Sequence, residues 1–171
     1  LANGDAAALR MVEQPITKKS GAPFGSAGSA PLVELVDAQG NRVLDHGSVT
    51  ISAQLQSSAG VDQVASGSDV VTATASASSG VADFSQAGFV DTPANYKIAF
   101  SSGSLTPVTS NLFTLTAADA SVLTWQTSPP ASAATGDDFG AVIRLEDAYG
   151  NLVVADNTTS IAVTVSGSNT S

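Results

Sequence analysis

The sequence has no cysteine and few aromatic residues. Among its 171 residues there are one Trp, two Tyr and six Phe. No disulfide can therefore hold the fold together, and the core must rest mainly on aliphatic side chains. Hydrophobic residues still make up 43% of the chain, which is typical of a folded protein and not of a disordered one.

Positive charge is also scarce. Six Lys and Arg stand against fifteen Asp and Glu, so the formal net charge is −9. This balance repels phosphate groups and anionic lipid heads, which argues against nucleic acid as a partner. No apolar run approaches the roughly 18 to 20 residues of a transmembrane helix, so we expect no membrane insertion. No signal-peptide pattern opens the chain, and we expect any export signal to have been removed or to lie upstream.

One phrase occurs twice in the chain. Residues 36–44 read VDAQGNRVL, and residues 146–154 read EDAYGNLVV. The match extends upstream, where LRMVEQP (9–15) resembles LTWQTSP (123–129). The first match has an offset of 110 residues and the second an offset of 114, and we place the four-residue change in the loop that contains Phe24 and Phe139. Such self-similarity is the signature of repeat architectures. We therefore expect a leader or linker at 1–8, a first repeat at 9–117, and the first half of a second, incomplete repeat at 118–171.

Short segments of alternating apolar and polar residues fill both copies, separated by Gly, Pro, Ser or Asp. The first copy contains about seven of them, which predicts an all-β fold, an antiparallel β-sandwich. Its predicted inward-facing residues are Val33, Leu35, Ile51, Leu55, Phe84, Tyr96, Ile98, Phe100, Phe113 and Leu115. The second copy contains counterparts of the first three strands. Their residues predicted to face inward are Ile143, Leu145, Ile161, Val163 and Val165.

The repeated D-A-x-G-N phrase has the composition of a turn. Its Asp can accept a hydrogen bond from the backbone N–H two residues on, and its Gly can take a positive φ. The alternative is a Ca²⁺ site, built from Asp37 and Asn41 in one copy and from Asp147 and Asn151 in the other, with Asp45 or Asp156 in support. Ca²⁺ needs six to eight oxygen ligands, so we favour the turn and expect no cofactor.

Catalytic signals are weak. His46 is the only histidine and lies in the polar segment LDHGS, and the chain has no G-x-S-x-G motif. We therefore expect that the protein is not an enzyme. Trp125 aligns with Met11 and is expected to be buried, whereas an exposed Trp could stack on a sugar ring.

Several phrases together carry a family resemblance. DAQGNRV and DAYGNLV, followed by SVTISAQL, GVADFS and DTPANYKIAFSSGSL, resemble the bacterial immunoglobulin-like repeats of invasin- and intimin-like adhesins. DTPANYKI is similar to a tyrosine corner, with Tyr96 as the tyrosine and Ile98 where antibody domains have cysteine. The resemblance implies tandem immunoglobulin-like β-sandwiches and no catalysis.

We thus expect a structural or adhesive module of a secreted or cell-surface bacterial protein, acting as a stiff spacer or assembly unit. A glycan-binding or ancillary domain of a secreted enzyme is one alternative, and a surface-layer or filament subunit is another. The expected partners are neighbouring repeats of the same chain and a protein or glycan surface. We expect the incomplete repeat at 118–171 to belong to a longer parent chain. Completion by strands of another molecule is the second alternative, and a frayed half repeat is the least favoured, because the alternation continues through Val165.

Overall fold

The structure is a computed structural model that describes residues 4–25, 28–44, 46–62, 70–76, 79–134 and 136–164. Every regular element in these ranges is a β-strand, and none is a helix that could cross a membrane. The strands are β1 (Ala8–Glu13), β2 (Lys18–Lys19), β3 (Leu32–Val36), β4 (Val49–Ser57), β5 (Val70–Ala75), β6 (Val81–Asp83), β7 (Ala94–Ser101), β8 (Val108–Thr109), β9 (Phe113–Thr116), β10 (Val122–Thr127) and β11 (Val142–Glu146). The all-β prediction is confirmed.

The described residues between 4 and 117, here called the body, form two sheets. One has the strand order β1-β3-β6, and the other has the order β2-β9-β7-β4-β5, with β8 paired to β7. The pairings are antiparallel except for the two-residue pair of β2 with β9. The seven segments predicted as strands all form strands, and β2 and β8 are short additions that the alternation pattern does not mark.

Buried side chains of both sheets form one hydrophobic core. The ten residues predicted to face inward in the body are all buried, each at most 4% exposed. Phe84, directly after β6, meets Phe100 of β7 edge to face at a centroid distance of 5.0 Å, which joins the two sheets. The period-2 pattern thus predicts which face of each strand is buried, because a slip of one residue would turn these side chains to solvent.

Residues 118–164, here called the ribbon, contain β10 and β11, which pair as β1 and β3 do. Leu123 lies opposite Leu145, as Leu9 lies opposite Leu35. Both pairs carry a register shift at the same place, between Met11 and Glu13 in the body and between Trp125 and Thr127 in the ribbon.

Two predictions for the ribbon are wrong. Ile161 and Val163 lie outside any strand, and their side chains are 38% and 68% exposed. Their counterpart β4 pairs with β5 and β7, and the described part of the ribbon offers no such neighbours to complete a ladder. Val165 lies outside the described residues. Trp125 is 50% exposed and not buried, because it lies on a face that no sheet covers in the described part of the chain.

Candidate functional site

The first D-A-x-G-N turn is organised by the carboxylate of Asp37. Its Oδ1 accepts hydrogen bonds from the backbone N–H of Gln39 and of Asn41, both at 2.9 Å. Its Oδ2 accepts from the side-chain amide of Asn41 at 3.1 Å and from the backbone N–H of Gly4 at 3.3 Å. Gly40 has φ of +83°, a value that favours glycine. The turn hydrogen bond that the sequence predicts is therefore present.

The second turn repeats this arrangement around Asp147. Its Oδ1 accepts from the backbone N–H of Tyr149 and of Asn151, both at 2.9 Å. Its Oδ2 accepts from the Asn151 side chain at 3.0 Å and from the Ala118 backbone N–H at 2.8 Å. Gly150 again has φ of +83°. Each turn thus binds both its own backbone and the segment that leads into the first strand of its copy.

These hydrogen bonds favour the charged form of both aspartates. The pKa of Asp37 is lowered, chiefly by the hydrogen bond from the Asn41 side chain. Burial by itself raises the pKa of Asp147, but hydrogen bonds from Asn151, Ala118 and Tyr149 outweigh it, so the net direction is also down. Both carboxylates are therefore held ionised by N–H donors.

The same arrangement fits a Ca²⁺ ion poorly. Both oxygens of Asp37 and of Asp147 already accept N–H groups, whose positive ends point to where a cation would bind. Asn41 and Asn151 turn a side-chain nitrogen, and not an oxygen, to the carboxylate. Asp45, the other residue considered beside the first turn, lies outside the described residues. Within the described ranges, no three His, Cys, Asp or Glu side chains form a group that could hold a metal ion.

The second turn lies against the far end of the body. Tyr149 stands over Gly21, and a Cβ built on Gly21 would be 2.1 Å from the tyrosine Oη. The side-chain amide of Asn151 donates to the backbone oxygen of Asp91 at 3.4 Å. Lys19 forms an ion pair with Asp119, near the start of the ribbon. We call this contact region the joint.

On the body side, the joint is formed by two loops that are hydrogen-bonded to each other. Ser20 Oγ donates to the backbone oxygen of Asp91 at 3.0 Å and accepts from its N–H at 3.2 Å. The N–H of Gly21 donates to the oxygen of Phe89 at 2.8 Å. We call the surface of Lys19, Ser20, Gly21 and Asp91 the receiving end.

A cleft of about 680 Å³ opens beside the joint, between β9 with the segment after it and residues 152–158. Its volume lies in the range of small-molecule sites, roughly 300 to 1,000 Å³. Its charged groups are already engaged, because Lys19 pairs with Asp119 and the Asp156 carboxylate accepts from Thr158 and Thr159. The hydrogen bond from the Thr159 side chain is the main reason why the pKa of Asp156 lies well below its usual value.

An ion cluster lies beside the first turn but has no counterpart in the second. Glu34 is 4% exposed and is held by Arg10 and by Arg42, and Arg10 also donates to the oxygen of Gly40 at 2.8 Å. In the ribbon, Arg144 takes the place of Glu34 and pairs with Glu146 at 3.6 Å. This cluster therefore stabilises the body and is not part of what the copies share.

The sequence predicts both turns but not the surface that the second turn contacts. Asp37, Asn41, Asp147 and Asn151 are found in turns, each Asn bound to its own Asp. The receiving end is missed, because its residues match nothing in the repeated phrase. A scan against protein-family models and a search of curated proteins return no match for this chain.

Proposed function

We propose that this chain is a non-catalytic structural module of a secreted or cell-surface bacterial protein, built from consecutive immunoglobulin-like β-sandwiches. The body would be one complete unit, and the ribbon the first half of the next. Its work would be to hold neighbouring units in a stiff array, as a spacer or as an assembly element of an adhesive protein.

One observation carries this proposal: the same strand pair occurs twice in one chain and is joined by a short, tied segment. β1–β3 and β10–β11 share their register and the position of their bulge. Residues 117–121 separate β9 from β10, and the N–H of Ala118 in this segment is held by Asp147. A join that is short and hydrogen-bonded favours a fixed orientation over free motion.

Strand order supports the immunoglobulin-like assignment. The sheet β1-β3-β6 has the order of strands A, B and E, and β4, β7 and β9 lie as strands C, F and G. Tyr96, near the start of β7, donates its hydroxyl to the backbone oxygen of Thr92 at 2.8 Å, as a tyrosine corner does. Ile98, two residues on, is 1% exposed and fills the place of the cysteine of antibody domains.

A glycan-binding function is favoured by one observation, the half-exposed Trp125. Its counterpart, however, is Met11, which packs against the core of the body. Trp125 also lines a small hollow together with Ile143, Ile161 and Val163, all at positions expected to face inward. Its exposure is therefore better explained by the lack of a covering sheet than by a sugar site.

The proposal is tested by where the protein lies and how rigid it is. Antibodies against the body should stain intact cells of the source organism, and staining only after permeabilisation would overturn the surface assignment. Spin labels on Ser104→Cys in the body and Gln126→Cys in the ribbon should give a narrow distance distribution. Both positions are exposed, and the chain has no cysteine of its own to interfere. A broad distribution would argue against a stiff array.

A further inference from the structure

We infer that the D-A-x-G-N turn is the element by which each unit docks on the unit before it, and that the first copy carries the same docking face ready for a preceding unit. This docking face consists of Gly4, Asp5, Gln39, Gly40 and Asn41. Its partner would be the receiving end of another copy of this unit. The inference rests on the proposed function and names the contact that makes the array stiff.

The docking face has an occupied counterpart in the same chain. Asp119, Tyr149 and Asn151 correspond to Asp5, Gln39 and Asn41, and they are the ribbon residues that meet the receiving end. The two aspartates at the turns hold the incoming chain alike, through the N–H of Gly4 and of Ala118. The chain therefore enters both copies along a path fixed by the same hydrogen bond.

Burial differs between the two faces in the way that docking predicts. Asn151 is 7% exposed because the body covers it, whereas Asn41 is exposed although its backbone N–H and its side chain also donate to the aspartate of its turn. The burial of Asn151 is therefore a consequence of the joint and not of the turn itself. The side chain of Asn151 donates to Asp147 and to the backbone oxygen of Asp91, whereas the side chain of Asn41 donates to both oxygens of Asp37, at 3.3 Å and 3.1 Å. Docking would transfer one of the two Asn41 bonds to the preceding unit.

Charge and shape fit the same occupant. Asp5 is exposed and would face Lys19 of a preceding unit, as Asp119 does. Gln39 replaces Tyr149 and has a shorter side chain, so it fits the space over a glycine such as Gly21. Gly136, at the place of Gly21 in the second copy, also has a positive φ, of +95°, and has nothing within 4 Å of the position of a Cβ.

The spacing between the copies defines the test. LANGDAAALRMV (1–12) aligns with LTAADASVLTWQ (115–126), so Leu1 corresponds to Leu115. Residues 1–114 are therefore fused directly ahead of Leu1 of the full chain, which creates a new joint at the natural spacing. One spin label goes on Ser104→Cys of the added unit and one on Val12→Cys of the original unit. This pair is equivalent to Ser104 and Gln126 across the native joint.

Docking predicts the same mean distance at the new joint as at the native joint, with a distribution no broader. Gly21→Val in the added unit should broaden the distribution at the new joint, because its side chain fills the space over the glycine. Gly60→Val is the matched control, since Gly60 has a similar φ of +81° and open space around it. Circular dichroism of each fusion verifies that both units are folded.

The outcomes separate the two proposals. A broad distribution at the new joint beside a narrow one at the native joint overturns the docking face and leaves the proposed function standing. Broad distributions at both joints overturn the stiff array itself. Equal broadening by Gly21→Val and Gly60→Val overturns the contact at Gly21.

Discussion

The hydroxyl group of Tyr149 occupies the space in which a side chain on Gly21 would begin. A Cβ there would lie 2.1 Å from Oη and 2.7 Å from Cζ, closer than any real packing contact. Gly21 has φ of +75°, which favours glycine, and a side chain at this position would displace the Tyr149 ring above it. The two residues are 128 positions apart in the sequence and join the ribbon to the body.

Gly21→Ala should therefore destabilise the protein more than Gly60→Ala does. Both alanines pay about 1 to 2 kcal/mol for a left-handed conformation. Only the first also displaces Tyr149, because Gly60 has open space around it. Urea unfolding measures the difference, and it should vanish when both substitutions are repeated in Tyr149→Ala. Equal losses in the native background would mean that the ring does not rest on Gly21.

Tyr96→Phe should lower the free energy of unfolding by about 1 kcal/mol, because it removes the hydrogen bond to the Thr92 carbonyl inside the body. Tyr96 is 3% exposed, and burial raises the pKa of its hydroxyl. Tyr149→Phe is the matched control, since that side chain is 49% exposed and the same atom is lost. Denaturant unfolding gives the free energy of unfolding of each variant. A decrease no larger for Tyr96→Phe than for Tyr149→Phe would contradict a stabilising hydrogen bond from Tyr96 to Thr92.

The fold of the body could be predicted from sequence because its two sheets enclose one core. Each strand therefore has one buried face and one more exposed face. Ile98 and Phe100 lie on the apolar parity of β7 and are buried, while Lys97 and Ala99 on the other parity are only half-buried. Alternation reports this difference directly, since a strand has a period of two residues.

The ribbon and the joint could not be predicted in the same way. Ile161 and Val163 carry the alternation of a strand, but a strand also needs partners for its ladder, and sequence pattern does not show whether they are present. At the joint, Gly21 leaves room for the Tyr149 ring because it has no side chain, and Asp91 accepts a hydrogen bond with its backbone oxygen. Neither leaves a mark in composition or periodicity.

Stability should fall in acid through the two turn aspartates. The folded-state pKa values of Asp37 and Asp147 lie below the ordinary value of 3.8, so the unfolded chain binds more protons as the pH decreases. Their contribution is therefore complete above the unfolded pKa and is lost as the pH falls through the folded one. Asp37→Asn with Asp147→Asn should flatten the decline in stability between about pH 5 and pH 2. Asp138→Asn, an exposed position, is the control and should leave the curve unchanged.

Calcium should have little effect on the protein. The oxygens of Asp37 and Asp147 are occupied by N–H donors, which a cation would have to displace. We expect the same melting temperature with Ca²⁺ and with EDTA, and no saturable heat in a calorimetric titration. A rise in melting temperature with Ca²⁺ that EDTA reverses would mean that the turns rearrange to bind the ion.

One edge of β11 has no strand partner in the described part of the chain, and the N–H of Leu145 lies on that edge. In the body, the N–H of Leu35 donates to the oxygen of Gly80 at 2.8 Å, on the side of β3 that β6 covers. Leu145 has the same register against β10 as Leu35 has against β1. In the described part of the chain, β11 pairs with no strand other than β10, so the N–H of Leu145 faces an edge that lacks the counterpart of β6.

The N–H of Leu145 should therefore exchange with solvent much faster than that of Leu35, and completing the second unit should close the difference. Because Thr159 aligns with Val49, replacing residues 159–171 by residues 49–117 supplies counterparts of β4 to β9 from the chain itself. Leu145 should then become as protected as Leu35, since its edge gains a β6 equivalent.

Exchange measured by NMR at several protein concentrations also tests the alternative that another molecule supplies the strand. Protection of Leu145 in the original chain only at high concentration would favour intermolecular completion. Protection at every concentration would show that the edge is already covered and that the half-unit interpretation is wrong.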